Sequence, residues 1–597
     1  MKNIYLFVLV WVFYDVQAQI YEDHYGLGQS VGITVTSSHQ NGGDRAGYTL
    51  TGDDLQVDSI EASRFLAQAS LGASYEEIMQ LTDIGIDAWL DNQINLPPRS
   101  FAAKYDSIHQ EVITMITNQG DLNRYLSFSF YEMVMTYNNV LRQKVAFALS
   151  QIFVVSPYFN PAISDEGRAV ASYYDVLYLN AFGNYRDILE QVSTHPVMGI
   201  FLSHFQNEKA DIIQGVLPDE NYAREVLQLF SIGLLELNND GSIQLDENGE
   251  VIPTYRIDEI EEFARIFTGF SGSPIDSDLG NTFDEPLRNY DLTQPMVVYS
   301  EYHDDREKRL LGDISLPSNQ DGLQDLDDAL DNIFNHHNVG PFIAIRMIQQ
   351  LVKSNPSPAY INRVATAFNN NGSGVRGDME AVVRAILVDP EARDMAWIDD
   401  PKSGKLIQPI ERFTKLYKAF NTTTPSGKYW LEDEREFRPE LAQGFLSSPT
   451  VFNFFTPFFA EMNFVAPEGL VSPEFQIINS NTGISYLNLV ENSLERSPFS
   501  NRTAVSESMS TLINNDLDMP SFDYSVEEHI YNSQGLIPLL DHLDFLLTRG
   551  QLSVNTKTII CNTINDKLAR ISDYNFSLII IDAIYFIMIS PDFVILK

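Results

Sequence analysis

Residues 218–233, Pro-Asp-Glu-Asn-Tyr-Ala-Arg-Glu-Val-Leu-Gln-Leu-Phe-Ser-Ile-Gly, constrain the fold more than any other stretch. They read as one helix, with Asp219 as N-cap and Gly233 in the C′ position. At 100° per residue, Ala223, Val226, Leu227, Leu229, Phe230 and Ile232 spread around most of the circumference, the pattern of a helix buried in a large core. The same helix carries Glu220, Arg224 and Glu225, with Glu220 and Arg224 one turn apart. Charges removed from water need partners. The expectation is therefore a paired acid/base cluster inside a mainly α molecule.

The start of the chain reads as a secretory signal peptide over residues 1–18. Lys2 is the positive end, residues 4–14 the apolar core, and Val16-Gln17-Ala18 a small-residue cleavage site. The expected mature chain begins at Gln19. Residues 19–59 are polar and Gly-rich and read as a linker. From residue 60 the texture is helical to the end, so 60–597 is expected to be a single large helical domain, with a β-ribbon at about 234–252 and an irregular Ser/Asn-rich insertion at about 480–529. The ribbon is signalled by Asn239-Asp240-Gly241 and Glu247-Asn248-Gly249 at its tips.

A formal charge of −42 argues against a nucleic-acid or anionic-membrane partner, because nothing would displace phosphate counterions. Cys561 is the single cysteine, so no intrachain disulfide and no multi-cysteine metal site can form. Residues 576–589 are strongly apolar but short, with Asp582 in the middle. They are expected to be a buried helix, leaving no integral membrane segment in the mature chain.

Two formal motifs fail in context. Residues 372–377 satisfy G-x-G-x-x-G, but a helix precedes them where a dinucleotide site needs a strand. Residues 28–32 satisfy G-x-S-x-G in the polar arm, without the strand-to-helix turn of a nucleophile elbow. His303-Asp304, with Lys308 nearby, could act as an acid/base pair or ligate a cation; simple loop hydrogen bonding is the alternative. His195, His204, His336 and His337 lie in or at the ends of helical segments, where histidine caps carbonyls, and no H-E-x-x-H pattern is present. Arg265 and Arg346 are the cationic candidates for completing the central cluster. That cluster reads either as a structural ion-pair network or as a site in which Glu220, Arg224, Glu225, Arg265, His303 and Asp304 converge on one cleft. The residues name neither a cofactor nor a metal.

Residues 62–69, 141–147 and 180–186, the central Glu220-Asn221-Tyr222-Ala223-Arg224-Glu225, Ala264-Arg265 with Thr268-Gly269, and His303-Asp304 with Lys308 and Leu311-Gly312 resemble one large bacterial family, domain of unknown function 1800 (DUF1800). Residues 335–346, 354–360, 374–378, 448–455 and 590–593 extend the resemblance. Phe270 stands where the family pattern after Thr-Gly carries tryptophan, a departure that touches packing more than chemistry. The resemblance implies an exported, periplasmic or cell-surface, largely helical protein. It also implies a sulfatase-like partner of the DUF1501 type, and hence an accessory role in handling envelope or extracellular polymers. An uncharacterised hydrolase or transferase built on the Glu/Arg/His/Asp cluster is the alternative.

Overall fold

The computed structural model describes residues 59–113, 123–211, 213, 215–275, 283–394, 400, 402–431, 433–462, 465–496 and 521–597. The expected signal peptide, and the linker up to residue 58, lie outside them. The described residues form twenty-four α-helices and four two-stranded antiparallel sheets, so the fold is mainly α with small β ribbons.

Its centre is the helix Val339–Leu351, in which every residue but Gln350 is buried. It packs on Pro358–Asn369, Val140–Ser150 and Met379–Leu387. Val140–Ser150 is buried throughout except at Val140, although it contains Arg142, Gln143 and Lys144. The first described helix, Ser59–Ala69, is tied to the far end of the chain. Arg64 donates from Nε to the Lys597 carbonyl at 2.8 Å and from Nη1 to the Arg393 carbonyl at 3.0 Å. Burial, reinforced by Arg393, pulls the Arg64 pKa down to about 9. The strand Lys405–Leu406 pairs with Ile595–Leu596, which closes the C-terminus onto the same region.

Local signals decide most boundaries. Ser74 and Glu77 form a capping box. Tyr75–Ile84 and Ile86–Asn95 are separate helices because Gly85 adopts φ 80° between them. The ribbon at 234–252 is present as three antiparallel bridges, Leu235 to Pro253, Leu237 to Ile243 and Leu245 to Val251. Residues 480–496, read as irregular, form the 17-residue helix Ser480–Arg496. Tyr486, Val490 and Leu494 lie on its buried side, a spacing the surrounding Ser and Asn residues obscure.

Helix Phe576–Met588 turns Ile579, Ile580, Ala583, Ile584 and Ile587 inward, while Asp582 reaches Lys567 Nζ at 2.7 Å. Among the described residues no helix is long and apolar enough to cross a membrane. The loop at 372–377 satisfies its own amides: Gly372 and Gly374 both donate to Asn370 Oδ1 at 2.9 Å, as an interhelical turn should.

Candidate functional site

The stretch at 218–233 is helical only over Asn221–Gln228. Asp219 Oδ1 accepts from the Asn221 amide at 2.8 Å, and the chain leaves the helix through a tight turn to Gly233, where φ is 72°. Tyr222, Ala223, Val226 and Leu227 face the core. Tyr222 stacks edge-on against Phe267 with ring centroids 4.7 Å apart, and its hydroxyl lies 2.6 Å from Ser193 Oγ. His204 sits over the same ring, with Nε2 at 2.8 Å from the Ser193 carbonyl and Nδ1 unpartnered; burial pulls its pKa to about 4.

The six candidate residues fall into three groups rather than one cleft. Glu220 and Arg224 pair at 3.1 Å with side chains 40 % and 41 % exposed, so the expected burial of this pair is wrong. The reason is helix phase: they share the outward face, one turn apart. Glu225 alone of the three is buried. Burial pushes its carboxyl up to about 7, Arg224 offsets this only in part, and Oε2 has no hydrogen-bond partner.

Arg265, His303 and Asp304 do come together, as a clasp. Arg265 reaches Asp304 with Nε at 3.1 Å and Nη2 at 3.2 Å, Glu262 at 2.6 Å and the Glu307 carbonyl at 2.9 Å. Arg306 closes on the same Asp304 carboxylate. Burial alone would raise that carboxyl, but the two guanidiniums outweigh it and hold it far below the usual range. His303 Nδ1 lies 2.8 Å from the Thr268 carbonyl and must donate there; Nε2 lies 2.9 Å from Asp325 Oδ2, which Lys308 Nζ also reaches at 2.5 Å. His303, Asp325 and Lys308 are each at most 3 % exposed.

Gly269 explains the Thr-Gly pair. Its φ is 79°, and a Cβ there would stand 2.8 Å from the His303 backbone nitrogen. Asn207 joins the two regions, accepting from the Gly269 amide at its carbonyl and from the Asp219 amide at Oδ1, both at 2.8 Å. No hydrogen bond or ion pair among the described residues links Glu220, Arg224 or Glu225 to Arg265, His303 or Asp304.

Buried, paired charges do exist, but elsewhere. Lys144 meets Glu411 at 2.6 Å, Lys353 meets Glu391 at 2.9 Å, and Lys405 meets Glu474 at 3.1 Å, all nearly free of solvent. Arg346, expected to complete the central cluster, instead lies between the rings of Phe342 and Phe458 at 4.8 and 4.9 Å. With Gln349, Glu474, Asn453 and Phe458 it lines a cavity of about 60 Å³ that also reaches Leu229, just past the central helix. Glu474 Oε2 and Gln349 Oε1 are buried there without hydrogen-bond partners, and burial raises the Glu474 carboxyl despite Lys405. Sequence reasoning missed Lys144, Glu411, Lys405 and Glu474. The one available signal was a lysine inside the otherwise apolar face of 141–149.

The model of the family described as Protein of unknown function (DUF1800) matches residues 64–595, nearly the whole chain. The chain belongs to the DUF1800 family. The matched span opens on Arg64, whose side chain bonds the last residue, and includes both the Asn221–Gln228 helix and the clasp. No curated protein and no solved structure matches this DUF1800 chain.

Proposed function

We propose that this DUF1800 protein is exported and works as a non-catalytic accessory partner of a sulfatase-like protein of the DUF1501 type, in the handling of envelope or extracellular polymers. The supporting observation is the use already made of the acid/base residues. Both nitrogens of His303 face acceptors inside the fold, and Asp304 is saturated by Arg265 and Arg306. General acid/base catalysis needs hydrogen-bond reach to a substrate proton, and groups this enclosed have none. The clasp instead holds residues 299–312 against the helix Ile257–Ile266, giving a rigid surface for a partner. Co-expression of the mature chain with a sulfatase-like protein and size-exclusion chromatography is the test. Co-elution is expected, and elution of two separate species under gentle conditions sinks the reading.

A second reading, an enzyme of the hydrolase or transferase class, is favoured by Glu225, a buried carboxyl poised at about 7 with an unpartnered oxygen. It predicts that Glu225→Gln abolishes any polymer-degrading activity found for the mature chain while the variant stays folded. Activity retained in that variant removes this reading.

A further inference from the structure

Where the ribbon meets the end of helix Gly322–Asn335, Glu236, His336 and His337 turn their donor atoms together, all within 4.8 Å of one another. Glu236 is held on both sides by the ribbon: its amide donates to the Ile252 carbonyl at 2.8 Å and its carbonyl accepts from Gln244 at 2.7 Å. His336 is the C-cap of the helix, and its carbonyl accepts from Arg376 Nη2 at 2.8 Å. The two imidazoles stack with centroids 4.5 Å apart and face the same carboxylate.

The side-chain contacts are close. Glu236 Oε1 is 3.6 Å from His336 Nε2, too far for a hydrogen bond. Glu236 Oε2 is 2.7 Å from His337 Nε2, within ion-pair distance. The Gln244 amide nitrogen, oriented by its bond to the Leu237 carbonyl at 2.8 Å, also lies 3.4 Å from His337 Nε2. Two imidazole nitrogens thus converge on one carboxylate.

We propose that Glu236, His336 and His337 bind a divalent transition-metal ion of the zinc class. Two imidazole nitrogens and one carboxylate are a recurrent three-residue donor set for such an ion, and ligands of a tetrahedral site stand about 3.3 Å apart, which the 2.7 and 3.6 Å separations bracket. Three protein ligands leave a coordination position open. Glu236 and His336 also line a cleft of about 750 Å³, together with Tyr255, Arg256, Asn332 and Asn335. An oxygen donor from a partner or a polymer entering that cleft can complete the shell. Binding at His336 Nε2 moves that ring's proton to Nδ1 and gives up a long contact, 3.2 Å, from the Asn338 amide. This proposal does not depend on the accessory role.

The test is cobalt titration of the full mature chain after chelator dialysis, followed by absorption spectroscopy and confirmed by zinc calorimetry. One equivalent per chain is expected, with the intense visible bands of low-coordinate cobalt. Glu236→Gln and the double variant His336→Ala, His337→Ala should each weaken binding about tenfold or more, while His529→Ala, a change at an exposed histidine outside the cluster, leaves it unchanged. Melting curves recorded without metal show whether the variants fold, and the exposed His337→Ala alone provides a milder variant that must also weaken binding. Absence of stoichiometric uptake by the wild type overturns the proposal. Undiminished uptake by a folded double variant overturns it equally.

Discussion

At the residue scale, solvent decides what a charge is worth. Glu220 and Arg224 pair on the surface, where such pairs contribute under about 1 kcal/mol. Lys144 and Glu411 are paired with almost no exposure, and removing one partner strands the other in the core at about 3–5 kcal/mol. Thermal melts should therefore separate the variants: Glu220→Gln and Arg224→Ala close to wild type, Lys144→Met clearly below it. Equal shifts would contradict the burial. Glu225 adds a pH dependence of known sign. A carboxyl raised in the fold holds its proton more tightly there than in the unfolded chain. Its contribution is thus fully present below the unfolded value, 4.5, and is lost as pH rises through about 7. The loss is on the order of 3 kcal/mol. Denaturant titrations at pH 5 and pH 8 should show wild type losing stability relative to Glu225→Gln, and parallel pH curves for the two proteins would refute the assignment.

At the element scale, the clasp fixes one loop to one helix through a backbone contact that only glycine allows. Gly269→Ala places a methyl 2.8 Å from the His303 nitrogen at a φ of 79°, so the loop must move or strain, at about 1–3 kcal/mol. Trypsin should then cut after Arg306 or Arg309 faster than in wild type, before global unfolding; an unchanged cleavage rate would show that the loop is held by other contacts. Asn338 is a second element-scale pin. Its side chain donates to the Ile232 and Leu235 carbonyls at 2.8 and 2.7 Å and accepts from the Leu237 amide at 2.8 Å. The end of the central segment and the start of the ribbon are thereby fixed against helix Val339–Leu351. The same contact positions Glu236 beside His336 and His337.

At the scale of the whole molecule, one charge excess and one closure dominate. A net charge of −42 repels itself most in the compact state, so added salt should stabilise the fold. The melting temperature is expected to rise between ~0.01 and ~0.15 M sodium chloride, as the Debye length falls from ~30 to ~8 Å. A fall would mean that the surface ion pairs, such as Arg186 with Asp327 and Asp331, outweigh the repulsion. The closure brings residues 64, 393, 549 and 597 together, where Arg64 and Arg549 are fully buried cations that donate to backbone carbonyls near the C-terminus.

Sequence alone determined what is local. Hydrophobic period and caps specify a helix such as Phe576–Met588 to within a residue or two, because those signals act over a single turn. Family membership was legible for the same reason, being carried by ordered short motifs. Tertiary structure decided which charges are buried. Glu220 stands at the N-cap and Glu225 within one short helix, and its packing on the Ile257–Ile266 helix leaves the first half-exposed and the second buried. It also decided which distant residues meet: Lys144 with Glu411, His303 with Asp325, and Glu236 with His336 and His337. Pairings across tens to hundreds of residues leave no periodic trace, because they depend on how whole helices pack rather than on the turn in which each residue sits.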